Sequence, residues 1–172
     1  MDLKKEFRHV VDFPKEGIDF IDITPILQDP NLLCYSVDAL CEMASKYDFD
    51  LIISPESRGF ILGTPMCYKM KKGFVPVRKK GKLPYKTVSI EYDLEYGSAI
   101  LEIHQDAIKK GQKVILIDDL LATGGTTLAN IKLVEELGGI VEAVVCLVEL
   151  TYLNGRKNLK DYKVESVVTF DE

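Results

Sequence analysis

The residues whose types and spacing could do chemistry stand together in one string, V-I-L-I-D-D-L-L-A-T-G-G-T-T at 114–127. Two adjacent carboxylates, Asp118 and Asp119, follow four apolar residues and precede a loop of small residues. Glycines in such a loop let the backbone turn tightly, so that several N–H groups point into one hollow. A helix starting there adds the positive end of its dipole, and the hydroxyls of Thr123, Thr126 and Thr127 add donors. These are the parts of a phosphate cradle. Carboxylates beside a phosphate are unfavourable unless they hold hydroxyls or a metal ion, and a phosphorylated sugar supplies the hydroxyls. The lysine of G-x-x-x-x-G-K-[ST] is missing, as is the G-x-G-x-x-G spacing, which argues against a nucleoside-triphosphate loop and a dinucleotide fingerprint. A bare G-G-T would equally suit a tight strand-to-helix turn with incidental acids.

The elements that must position this string can be read from periodicity. Residues 114–117 form a short buried strand, and Leu128, Ile131, Leu133, Val134 and Leu137 recur as one face of a following helix. Upstream, Asp29 and Pro30 read as an N-cap and first helical residue, with Leu32, Leu33, Val37, Leu40, Cys41 and Ala44 at helical spacing to about Tyr47. Residues 51–54 form a buried strand, a turn follows at 55–59, and a helix runs from Gly59 or Phe60 to Met70, with Met66 and Met70 in the core. Another strand spans 74–77, and the alternation of acids with Tyr92, Leu94 and Tyr96 over 88–97 predicts a half-exposed hairpin. Gly138 and Gly139 stop the later helix, strands follow at 140–150 and 164–170, and 154–156 is a turn or helix start. Strands alternating with helices of about a dozen residues imply an α/β fold: a doubly wound, mostly parallel sheet flanked by helices. Arg58 then stands at the C-terminal end of a strand, where such sheets bind ligands and where a guanidinium fork suits phosphate oxygens.

Composition bounds the function. A chain of 172 residues with 47% hydrophobic and 28% charged residues suits a single soluble domain, 1–172. No apolar run is long enough for a membrane span and no apolar signal core opens the chain, so no membrane role and a cytoplasmic location are expected. Four cysteines without C-x-x-C and only two histidines argue against zinc and for buried thiols. The net charge of −5 argues against nucleic acid. The charge is uneven, however: between 69 and 86 stand eight Lys or Arg and no acid, which fits a small polyanionic ligand or a solvated basic loop. Residues 12–25 mix turn formers with Phe13, Ile18, Phe20, Ile21 and Ile23, which need covering, as in a small lid packed on the core.

Five stretches together resemble the type I phosphoribosyltransferases, and their adenine branch most closely, over about residues 8–170. They are D-D-L-L-A-T-G-G-T at 118–126, F-P-K-E-G-I-D-F-I-D-I-T-P at 13–25, E-S-R-G-F at 56–60, V-R-K-K-G-K-L-P at 77–84, and L-E-Y-G at 94–97 continuing to L-E-I-H. The resemblance implies the type I fold with an N-terminal hood at about 8–27 and a flexible catalytic β-ribbon loop at about 80–103. It implies purine salvage: transfer of the 5-phosphoribosyl group from phosphoribosyl pyrophosphate (PRPP) to N9 of adenine, giving AMP and pyrophosphate. Asp118 and Asp119 would hold the ribose hydroxyls, and Ala122, Thr123, Gly124, Gly125 and Thr126 the 5′-phosphate. Glu56, Ser57, Arg58, Arg78, Lys79 and Lys82 would serve pyrophosphate, with the basic run reaching the neighbour's site in a homodimer, and the Glu56–Ser57 peptide can be cis. Phe20 would stack on the purine, with Leu120 beside it and the backbone near Asp19 and Ile21 reading its edge. Glu95, with Arg58, is the implied catalytic group, acting near N7, and Tyr96 helps close the site. Mg²⁺ would enter on PRPP, without a firm protein ligand. Ile21 departs from the family's usual Lys or Arg, which keeps another purine open: hypoxanthine, guanine or xanthine. A non-enzymatic PRPP-sensing regulator is the remaining alternative; it would need a DNA-binding region, for which no spare length is expected here.

Overall fold

The structure, a computed structural model, describes residues 2–93 and 97–171. Glu95 and Tyr96 therefore lie outside the described residues.

The chain opens with an antiparallel pair, β1 (Arg8–Val11) and β2 (Asp19–Asp22), followed by the short helix α1 (Thr24–Gln28). Sequence pattern alone did not foresee this hairpin. Its turn contains a cis Phe13–Pro14 peptide. Only part of its apolar set is covered: Ile21 and Ile23 are buried, whereas Phe13 and Ile18 remain exposed.

Helix α2 (Pro30–Ala44) starts where the sequence places it. The Asp29 carboxylate accepts the amides of Asn31 and Leu32 at 2.8 and 3.1 Å, and Pro30 occupies the first turn, where it needs no donor. There follow β3 (Leu51–Pro55), α3 (Arg58–Met70), β4 (Gly73–Lys79), β5 (Thr87–Asp93), β6 (Ser98–His104), β7 (Lys113–Leu121), α4 (Gly125–Glu136), β8 (Ile140–Leu150) and β9 (Val164–Phe170). The main sheet has the order β5-β6-β4-β3-β7-β8-β9. From β4 to β9 neighbouring strands run parallel, while β6 and β5 add antiparallel strands at one edge. The doubly wound, mostly parallel sheet expected from the sequence is therefore present.

Strand β7 shows why both faces must be covered. Ile115 and Ile117 enter one apolar core, shared with α2 and α3, and Val114 and Leu116 enter the other, shared with α4. All four side chains are inaccessible to solvent. The chain leaves β3 through α3 toward β4 on one side, and leaves β7 through α4 toward β8 on the other. The C-terminal ends of β3 and β7 thus flank the point where strand order reverses, the usual ligand crevice of an open α/β sheet. Among the described residues no helix is long and apolar enough to cross a membrane. Of the cysteines, Cys41, Cys67 and Cys146 are buried, but Cys34, on the outer face of α2, is exposed and corrects the expectation for that thiol.

Candidate active site

At the switch point the string 114–127 divides as β7, loop and α4. Asp118 and Asp119 are still within β7, so their backbones are fixed by the β8 ladder rather than by a loop. Both are buried. Asp118 accepts the Asp119 amide at 2.8 Å. Burial, and then the charge of Asp119, push the Asp118 carboxyl well above the usual carboxylate range. Arg58, the first residue of α3, lies with Nε 2.7 Å from Asp119 Oδ2. The cradle loop then turns at Gly124, whose φ of +83° is the left-handed conformation that glycine adopts without strain, and α4 begins at Gly125.

These parts enclose a cleft of about 250 Å³ lined by residues 55–58 from the β3–α3 turn, by Asp118, Asp119 and Leu120, and by 122–127. A second cavity of about 460 Å³ adjoins the cleft, and Leu120, Ala122 and Thr123 line both. The second cavity is mostly apolar. It is lined by residues 17–21 of the N-terminal hairpin, by Leu120, Ala122 and Thr123, and by Leu150, Tyr152 and Leu153. The Arg58 guanidinium carbon sits 5.4 Å from the Phe20 ring centroid, which ties the polar cleft to the N-terminal hairpin. Phe20 is in turn met edge-on by Phe13 at 5.2 Å.

The sequence-predicted residues fall into place unevenly. Asp118, Asp119, Ala122, Thr123, Gly124, Gly125, Thr126, Ser57 and Arg58 share the polar cleft, and Asp19, Phe20, Ile21 and Leu120 line the apolar cavity. The Ile21 side chain belongs to the core, which explains an apolar residue there. The Glu56–Ser57 peptide is cis. Glu56 lines the cleft, but its carboxylate is turned to the basic loop: Oε1 accepts the Lys79 amide at 2.5 Å and Oε2 lies 3.4 Å from Arg78 Nη2. Burial raises this carboxyl, yet the Lys79 amide and Arg78 outweigh it and hold the group below its ordinary value. Arg78 is thus tied to its own chain, whereas Lys79, Lys80 and Lys82 are exposed. The ribbon also reaches the cradle: the Thr126 hydroxyl lies 3.3 Å from Tyr92 OH.

Sequence reasoning missed Tyr92, Tyr152 and Leu153. Tyr92 was legible only as one tooth of the alternating ribbon, and nothing local marks Tyr152 or Leu153 as cavity residues. Among the described residues no cluster of three or more His, Cys, Asp or Glu could hold a metal ion.

A strand, an acidic pair, a small-residue loop and a helix N-terminus meet at the switch point of the sheet, the place where open α/β sheets bind ligands. Residues 36–171 match the family defined by the phosphoribosyl transferase domain. The chain belongs to the phosphoribosyltransferase family, in its adenine branch. It is 67% identical to an adenine phosphoribosyltransferase of Caldicellulosiruptor saccharolyticus over 99% of this chain and 98% of that one. A crystal structure of adenine phosphoribosyltransferase from Thermoanaerobacter pseudethanolicus superposes with a TM-score of 0.96 at 53% identity, covering 98% of each chain. The Saccharomyces cerevisiae enzyme, solved with an imino-altritol bisphosphate and adenine, gives 0.91 at 39% identity over 96% of each chain.

Proposed function

We propose that this chain is a purine-salvage enzyme that transfers the 5-phosphoribosyl group of PRPP to N9 of adenine, releasing AMP and pyrophosphate. The observation that carries this reading is that the two cavities adjoin, with Leu120, Ala122 and Thr123 lining both. A polar cleft with an acidic pair and a glycine loop lies beside an apolar slot lined by Phe20, with Leu120 and Ala122 common to both. A sugar phosphate and a flat base joined at one carbon need that arrangement.

In the reaction the N9–C1 bond forms as the bond from C1 to the pyrophosphate oxygen breaks, with inversion at C1, and the base loses a proton. The sugar carries oxocarbenium character, as in other glycosyl transfers. The loop 122–126 holds the 5′-phosphate through amides and hydroxyls that need no reorganisation. Asp118 and Asp119 take the ribose hydroxyls, and Arg58, freed from Asp119, turns to the departing pyrophosphate. Ser57 and the basic residues Arg78, Lys79 and Lys82 add to that pole, with Glu56 orienting Arg78 and the Lys79 backbone. Glu95 manages the proton balance of the purine ring through N7, and Tyr96 helps to exclude water. Asp19 and Ile21 read the base edge by their main chain.

Mg²⁺ suits this donor set as a companion of PRPP. Mg²⁺ retains waters and substrate phosphate oxygens with one or two carboxylates, and the acidic pair supplies no more than that. When bound it neutralises the leaving pyrophosphate. We further propose a cytoplasmic homodimer, with residues 8–27 as a hood and 80–103 as a mobile catalytic loop. The deciding experiment is PRPP turnover with each natural purine, the product identified by mass. AMP formation from adenine alone supports the reading, and preferential turnover of hypoxanthine, guanine or xanthine overturns it.

A further inference from the structure

Behind the cradle stands a segment that none of the roles above uses. The 3-10 turn Gly155–Leu159 packs against the 122–124 loop, and neither Gly155 nor Asn158 lines the cleft that 122–124 line. Asn158 Nδ2 donates to the Thr123 carbonyl at 2.7 Å. A Cβ on Gly155 would stand 2.3 Å from the Ala122 carbonyl oxygen, and one on Gly124 would stand 2.7 Å from the Gly155 carbonyl oxygen. Two backbones therefore approach as closely as glycine allows.

The turn is itself anchored. Arg156 Nε and Nη2 each lie 2.7 Å from an oxygen of the buried Glu149 carboxylate, and Nη1 donates to the Val164 carbonyl at 2.9 Å. Ser166 donates to the same carboxylate at 2.7 Å. Leu159 closes the turn inside the second apolar core. Asn158, by contrast, has an exposed side chain, so the fold of the turn does not depend on it.

In a trans peptide the carbonyl and the N–H point in opposite directions from one rigid plane. The Thr123 carbonyl shares its plane with the Gly124 amide, and the Ala122 carbonyl shares its plane with the Thr123 amide. Holding these two oxygens on the outer side therefore fixes the two amides toward the inner side, where the cleft lies. We propose that Asn158 is a positioning residue for the 5′-phosphate, acting through the Thr123–Gly124 peptide, with Gly155 as the surface against which the loop is set. This rests on the phosphate reading of the cradle given above.

The test uses the full chain and two probes, ribose 5-phosphate and pyrophosphate, by calorimetry, together with steady-state kinetics. Asn158→Leu keeps the approximate volume and removes the donor. It should raise the Kd for ribose 5-phosphate and the KM for PRPP by about three- to tenfold, the size one hydrogen bond supplies. Pyrophosphate affinity, the KM for adenine and kcat should stay within about twofold, and the melting temperature should not move, as for most exposed substitutions. Gly155→Ala should shift the same two constants further and also lower the melting temperature, because its Cβ must displace the loop. Unchanged ribose 5-phosphate affinity in Asn158→Leu, or equal losses for ribose 5-phosphate and pyrophosphate, would overturn the proposal. If the unmodified protein binds pyrophosphate but no ribose 5-phosphate, the cradle reading itself fails and the proposal falls with it.

Discussion

Replacing Gly125 with alanine separates ligand binding from folding. A Cβ built there meets nothing closer than the Asp93 carbonyl oxygen and Thr123 Oγ1, both at 3.9 Å, which is ordinary contact. Gly125 opens α4 outside the left-handed region, so alanine fits the backbone and removes unfolded-state freedom. Stability should rise by about 0.5 kcal/mol, the lower end of the glycine-to-alanine range, or about 1–2 °C for a chain of this size. Gly125 lines the cleft, and on the proposed reading a methyl group added there would keep an anion from the amides at the start of α4. Losing one hydrogen bond to a charged group costs about 1.5–3 kcal/mol, a PRPP affinity about 10- to 150-fold weaker. Gly124→Ala is the control. There φ is +83° and the Cβ stands 2.7 Å from the Gly155 carbonyl oxygen, so about 1–2 kcal/mol of backbone strain adds to a clash and the melting temperature should fall. PRPP and adenine titrations by calorimetry, with melts of both variants, give the comparison. A Gly125→Ala protein that melts normally and binds PRPP within about twofold of the original would refute the cradle.

Three other predictions address the remaining parts. Asp118 is an acid whose folded pKa is raised, first by burial and then by Asp119, so its contribution to stability is complete below about pH 4 and is lost as pH rises toward the folded value. Asp118→Asn should therefore gain in melting temperature over the unliganded original as pH goes from 4 to 8; a pH-independent difference would show that the group is not held protonated. Glu95→Gln should lower turnover by about 10²–10⁴-fold while leaving PRPP affinity nearly unchanged, and close to normal turnover in rapid-quench assays would make that carboxylate structural. For the subunit-shared site, Arg58→Ala and Lys82→Ala homodimers should both be weak. A purified heterodimer of the two should regain about one working site, because two-fold symmetry puts both lesions in one site and neither in the other. A heterodimer no more active than its better parent would assign Lys82 to its own chain.

What the sequence by itself determined was local and contiguous. The course of the chain from Asp118 through Thr127 was legible because it is carried in neighbouring dihedrals: a strand run, a glycine turn, a helix start. The cap of α2 was legible for the same reason, since Asp29, Asn31 and Leu32 lie within one turn. The apolar runs of β7 and β8, alternating with helices, likewise pointed to a mostly parallel sheet, and the alternation of β5 to a hairpin, but that β5 and β6 join the sheet as its antiparallel edge was not foreseen. Contacts between distant segments were decided by strand order and register, which no local pattern encodes. The placement of β3 beside β7 brought Arg58 onto Asp119, and the register of β3 with β4 turned the carboxylate of Glu56, a residue of the cleft wall, toward Lys79 and Arg78. The end of β8 delivered Tyr152 and Leu153 to the apolar cavity and set Gly155 and Asn158 behind the cradle. Cys34 and Ile21 show the same division: periodicity put one on a helix, and turn formers with apolar residues put the other in a small lid, but only packing left the thiol exposed and the isoleucine buried. A side chain's type follows from the gene, while the group it faces follows from which elements the core draws together.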